Sequence, residues 1–249
     1  MMRLIRSISR LRSRFSGSSR ERALDNERIR EEFEHLQFAS AAMQKLLDAY
    51  TFQSVLDIGS GAGEHSDVFL RHGKSVTALD YGKSVYFQRH DNDQSDLQVL
   101  VLDFNSFEPV EQYDCVWCSH VLEHQLDVQA FLLRVGRCLK EGGVLAITVP
   151  PMRSEIVGGH VSFWNGGLLL YRLVLAGFDC ANARLLRYGY NVSVLIQKKS
   201  IDVKGVLSYD AGDIRRIRQY LPSQLEYRPN DIDDPFEGDI EEIGWSVEC

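Results

Sequence analysis

The chain has 249 residues, 44% of them hydrophobic and 25% charged, an ordinary globular balance that excludes wholesale disorder. It contains no run of the roughly 18 apolar residues that a membrane-spanning helix needs. A formal charge of −7 argues against nucleic acid as a partner, since such binders draw most of their affinity from a positive surplus.

Residues 1–20 carry six arginines and no acid, with Leu4, Ile8, Leu11 and Phe15 on a helical stripe. Such a segment suits peripheral contact with an anionic membrane surface. The same composition describes a mitochondrial transit peptide, or an arm folded back on the acidic end of the chain. From 21 to 50 apolar residues recur at spacings of three and four, which predicts a helix. Strands are then expected at 55–58, 75–79, 97–102, 113–118 and 144–149, alternating with helical segments at 64–72, 83–89 and 128–140. That alternation predicts an α/β domain, a parallel sheet covered on both faces. After Pro150-Pro151 come a glycine-bearing loop, an apolar helix near 167–176, and two strand-like runs at 179–187 and 190–198 joined at Tyr188-Gly189. These read as an antiparallel pair at one edge of the sheet. Residues 201–249 hold a short basic helix at 213–221, then eight acids between 229 and 249 without Lys or Arg. The expected organisation is therefore a basic segment at 1–20, one catalytic-size domain at 21–200 and an extension at 201–249.

Five cysteines, an odd number lying in apolar segments, imply no disulfide framework and a reducing, cytoplasmic setting. Cys115-Val-Trp-Cys118 has redox or zinc spacing, but strand residues three apart face opposite ways, so both are expected in the core.

The most informative segment is Val55-Leu-Asp57-Ile-Gly59-Ser60-Gly61-Ala-Gly63, where three glycines separate a strand from a helix. Glycine permits a tight turn and a close ligand approach, and the following helix N-terminus attracts a polar group. The spacing differs from the dinucleotide fingerprint. The next strand ends in Asp80-Tyr81, where a carboxylate can accept both hydroxyls of a ribose, and a third ends in Asp103-Phe104, an acceptor and a ring suited to adenine.

Together with Tyr113-Asp-Cys-Val-Trp-Cys-Ser-His-Val-Leu-Glu-His124 and Val135–Leu145, these segments resemble the class I S-adenosylmethionine-dependent methyltransferases, notably the ubiquinone-biosynthesis and small-molecule group. The resemblance implies a Rossmann-like, doubly wound sheet of seven strands, mostly parallel with one antiparallel strand at the edge. It also implies S-adenosyl-L-methionine as cofactor. Asp57, Gly59, Ser60, Gly61 and Gly63 would hold the methionine end, Asp80 the ribose, Asp103 and Phe104 the adenine, and Tyr81 would also contact the cofactor. Ser119 and His120 would line the reaction cleft.

Methyl transfer to oxygen benefits from a general base, and histidine suits that role near neutral pH. His120, after the fourth strand, and His160, in the loop after the fifth, are the two candidates. No metal is expected, because Glu123 and His124 are adjacent and only His160 could join them. Ser162–Asn165 reads as part of a lid beside Tyr171 and Tyr188, with Asn165 free to bind hydroxyls. The expected acceptor is a small molecule or glycan, with a quinone- or lipid-type acceptor and a non-catalytic binding subunit as the rival readings. No motif encodes the acceptor or the oligomeric state.

Overall fold

The computed structural model describes residues 29–89, 97 and 99–246, so the basic segment 1–20 and Cys249 lie outside it. Short apolar runs ending in polar or glycine residues give strands β1 (Ser54–Ile58), β2 (Ser75–Asp80), β3 (Val99–Val101), β4 (Tyr113–Ser119) and β5 (Leu139–Val149). All five are parallel, in the order β3-β2-β1-β4-β5.

The period of two sorts their side chains into two cores. Val116 and Cys118 of β4 and Leu145 and Ile147 of β5 face one way, under the helices α4 (Val128–Cys138) and α5 (Gly166–Leu175). Cys115, Trp117, Val144 and Ala146 face the other way, under α2 (Ser40–Ala49) and α3 (Glu64–Arg71). Each fully buried large side chain in these layers contributes about 1.5–3 kcal/mol of hydrophobic stabilisation. Cys115 and Cys118 thus lie on opposite faces as strand geometry requires. Burial pushes both thiols well above their ordinary pKa, leaving them inert core residues.

The strand β7 (Asn191–Gln197) runs antiparallel and lies between β5 and β6 (Arg184–Tyr188), after a tight turn in which Gly189 adopts a φ of +51°. Two further residues, β8 (Glu242–Ile243), pair antiparallel with β6, so the sheet has eight strands and β8, not the hairpin, forms its edge. The extension is therefore integrated into the domain. Ile217 at the end of α6 (Asp213–Ile217), Leu221 and Ile243 join the α4/α5 core, and Trp245 joins the other. The absence of side chains at Gly166 and Gly167 makes room for this return. A Cβ on Gly167 would sit 2.7 Å from the Gly238 Cα.

Two helical expectations are corrected. The segment expected as one helix over 21–50 contains, within the described residues, α1 (Glu31–Glu34) and α2, separated by a break. Ala39 takes a left-handed φ of +56° there, and its N–H donates to Asn191 Oδ1 at 3.1 Å. Residues 83–89 form a bend and one 3-10 turn (Phe87–Arg89) in place of the expected helix. No helix among the described residues is long and apolar enough to cross a membrane.

Candidate active site

Because β1, β2 and β4 are parallel neighbours, their carboxyl ends bring the glycine loop, Asp80 and Ser119 to one rim of the sheet. Gly59, Gly61 and Gly63 have φ of +73°, +55° and +88°, left-handed values that glycine adopts without penalty. Gly59 and Ser60 donate their N–H groups to the Leu79 carbonyl, which folds the loop onto β2. The Asp80 carboxylate, nearly buried, accepts from the Gly61 N–H at 3.0 Å and the Gly82 N–H at 2.8 Å. A carboxylate has about four lone-pair sites, so two acceptor positions remain.

Asp57 lies beneath the loop and accepts a 2.6 Å hydrogen bond from the Ser66 hydroxyl. Burial pushes its carboxyl up to about 7, against that hydrogen bond and with a smaller upward push from Asp80. Ser60 Oγ and Ser119 Oγ are buried at the same rim without a partner. An unpartnered buried hydroxyl costs about 1–3 kcal/mol, so these atoms fit a site completed by a polar ligand.

The adenine end departs from expectation. Asp103 is exposed and its Oδ1 accepts from the Asn105 N–H and side-chain amide, leaving Oδ2 as the outward acceptor. Phe104 does not offer an open ring face. It is buried, edge-on to Phe131 at 4.9 Å between centroids, because the 3-10 turn after Asp103 turns it into the core. Tyr81, beside Asp80, is exposed.

His120 closes the end of β4 in a left-handed conformation, φ +55°. Its Nε2 lies 3.0 Å from Asn191 Oδ1, its Nδ1 lies 3.4 Å from Glu123, and its ring packs against Phe38 at 4.2 Å. Both ring nitrogens therefore face protein oxygens. Sequence reasoning did not identify Asn191 or Phe38, whose chain neighbours give no sign that a hairpin and a broken helix meet at this histidine.

His160 stands in the loop after β5, half-buried, beside a cleft that Arg153, Phe163 and Tyr190 also line. Tyr190 stacks 6.0 Å from His120, which joins this cleft to the end of β4. Burial holds His160 below the ordinary imidazole pKa, opposed by Glu123 and reinforced by His124 and His120. The proposed lid is only partly realised. Phe163 is exposed, but Trp164 is buried in the core. Asn165 is the N-cap of α5, its Oδ1 accepting from the Leu168 N–H at 2.8 Å, so it is not free for an acceptor. Tyr188 instead bonds Ser193 Oγ and the Ala42 N–H on the α2 side. The fold also brings Glu123, His124 and His160 together, their ligating atoms within 4.8 Å of one another.

A family model described as a methyltransferase domain matches residues 3–179. The chain belongs to this methyltransferase-domain family. The methyltransferase domain is 36% identical over 104 residues to a ubiquinone biosynthesis O-methyltransferase of Paramagnetospirillum magneticum, covering 41% of this chain and 42% of that one. It is 32% identical over 113 residues to the malonyl-[acyl-carrier protein] O-methyltransferase of Salmonella typhimurium, covering 45% of each. These matches span less than half of either relative.

Among solved structures, a Burkholderia thailandensis 1,6-didemethyltoxoflavin-N1-methyltransferase with S-adenosylhomocysteine bound superposes with a TM-score of 0.52 at 19% identity, over 74% of this chain and 82% of that one. The N-methyltransferase NodS from Bradyrhizobium japonicum, also with S-adenosylhomocysteine, gives 0.53 at 17%, over 72% and 96%. At such identities the likeness is one of fold, and the methyltransferase domain shares the Rossmann-like α/β architecture of these enzymes.

Proposed function

We propose that the chain is an S-adenosylmethionine-dependent methyltransferase acting on an oxygen of a small molecule. The observation that carries this reading is the joint placement of the left-handed glycine loop, the half-satisfied Asp80 carboxylate and the two unpartnered serine hydroxyls along one rim. Ligands bind at the carboxyl ends of such sheets.

When bound, the cofactor supplies an electrophilic methyl group on a sulfonium. The protein's own part is then alignment and proton handling. The glycine loop lets backbone approach the ligand closely, Asp80 accepts from ribose hydroxyls, and Ser60 and Ser119 donate or accept at the enclosed end. Positioning of this kind contributes up to about 7–11 kcal/mol of barrier reduction. Of the two histidines, His160 is the better placed proton acceptor, since it borders the cleft and burial favours its neutral form. His120 acts as a positioning residue, since Asn191 holds its Nε2 and its Nδ1 faces buried Glu123.

The relatives named for ubiquinone biosynthesis favour, as a second reading, a quinone-type acceptor over a glycan. Peripheral membrane contact through residues 1–20 belongs to the same proposal and rests on composition alone.

The test is calorimetric titration of S-adenosylhomocysteine into the full chain, with Asp80→Asn as control. Saturable one-to-one binding that weakens by at least about tenfold in the variant, the equivalent of about 1.4 kcal/mol, supports the reading. A folded wild-type protein that takes up no ligand overturns it.

A further inference from the structure

Glu123 is fully buried, yet neither carboxylate oxygen receives a hydrogen bond. Its neighbours explain why. Asn191 Oδ1 is identified as oxygen by the Ala39 N–H that donates to it, so His120 Nε2, 3.0 Å away, must carry the proton. His120 Nδ1 is then the ring atom turned toward Glu123, at 3.4 Å. His124 repeats the pattern. Its Nδ1 lies 2.8 Å from the Gly159 carbonyl and must donate there, which leaves Nε2 as the atom facing Glu123 at 3.8 Å. His160 is the third imidazole, its ring edge-on to His124 at 5.0 Å. A fully buried carboxyl group that receives no hydrogen bond while imidazole nitrogens face it is a place that a cation would complete.

We propose that Glu123, His124 and His160 bind a divalent transition-metal ion of the Zn²⁺ type. Two imidazoles and one carboxylate make a donor set suited to zinc and its neighbours rather than to magnesium or calcium, which prefer all-oxygen shells. The support beyond the ligands is also present. A metal-binding histidine usually donates its other N–H to a backbone carbonyl or carboxylate, which fixes its tautomer, and the Gly159 carbonyl does this for His124. A second hydrogen bond, from the Val161 N–H to the Glu123 carbonyl at 2.9 Å, clips the same loop onto the turn at Leu122–His124, with His160 between the two ties. Gly159 permits the approach, since a Cβ there would lie 3.1 Å from His124 Nδ1. Ligand atoms now within 4.8 Å would draw in to about 3.5 Å around an ion with bonds of about 2.0–2.2 Å, a closure that rotation of half-buried His160 supplies.

The inference does not rest on methyl transfer, but it displaces His160 from the proton-acceptor role proposed above. With the ion bound, the His160 lone pair is committed to it, and His160 no longer serves as the proton acceptor of the cleft.

The experiment is titration of Zn²⁺ alone into chelator-stripped full chain, followed by calorimetry, with Co²⁺ absorption as a second readout. One ion per chain is expected. Glu123→Gln and His160→Ala should each weaken binding by more than about 100-fold, beyond the roughly 10–100-fold that loss of an outer partner costs. His72→Ala, which removes a surface imidazole paired with Glu32 at 3.0 Å, should leave binding unchanged and so controls for adventitious sites. Thermal melts establish that each variant folds, and His160→Ala carries the result should Glu123→Gln fail to fold. No binding by folded wild-type protein, or binding that survives in folded His160→Ala, overturns the proposal. S-adenosylhomocysteine binding without zinc binding sinks this inference alone, and the reverse result sinks only the functional reading.

Discussion

Replacing Asp57 by Asn should make the ligand-free protein more stable at alkaline pH. Burial raises the Asp57 carboxyl from 3.8 to about 7, so the folded chain keeps a proton that the unfolded chain releases near 3.8. A carboxyl raised in this way contributes stability that is fully present below pH 3.8 and is lost as pH rises toward about 7. The displacement corresponds to about 4 kcal/mol at 1.36 kcal/mol per pH unit, a large share of the stability of an ordinary domain. Asn is nearly the same shape, can still accept the Ser66 hydroxyl through its own oxygen, and carries no charge to bury. Urea denaturation of both proteins between about pH 4 and pH 8 isolates the effect, because every other titrating group cancels in their difference. The variant should gain on the wild type steadily across that window, by as much as about 4 kcal/mol at the top, and then hold level. A stability difference that stays constant with pH would refute the reasoning.

Gly59→Ala should abolish S-adenosylhomocysteine binding, because the left-handed φ costs about 1–2 kcal/mol and the new Cβ would lie 2.3 Å from Val121 Cγ2. Adding Val121→Ala should restore part of the melting temperature but not all of it, and full recovery would show that the backbone conformation is not strained. Trp245→Ala, which empties a fully buried site under α2, should cost about 3–5 kcal/mol in denaturant unfolding, and a loss below about 1 kcal/mol would mean that the segment near β8 is not part of the core.

The strand-and-glycine-loop half of the molecule was readable because its signals are local. Gly59, Gly61 and Asp80 come together within a few residues of the breaks that reveal them, and period-two burial puts Cys115 and Cys118 on opposite faces as spacing requires. Phe104 departs from expectation because an aromatic residue after a strand-terminal aspartate faces the rim or the core according to one turn's geometry, which composition does not encode. Asn165 carried the ordinary signal of a helix N-cap, a short polar residue just before an apolar helix, and that role excluded the one expected of it. In the extension, the acids masked the apolar Ile243 and Trp245, which pack into the domain beside β6. The sequence argues against a cluster of Glu123, His124 and His160 because two of its members are adjacent. A 3-10 turn splays neighbouring side chains without moving them far, and a loop 35 residues downstream supplied the third through two hydrogen bonds. No spacing rule along the chain anticipates that closure.

The insertion of β7 between β5 and β6 also orders the events of folding. The parallel set β3-β2-β1-β4-β5 can pair as soon as residues up to 149 are available, but β6 reaches it only through a strand made later. β6 therefore joins the sheet only with β7 or after it, and until β7 docks the backbone edge of β5 stays open. A long apolar strand with an unpaired edge is the template on which chains associate with one another. The interval before the hairpin arrives is thus when this protein is most exposed to aggregation, and substitutions that slow the turn at Gly189 should lower its soluble yield before they lower its final stability.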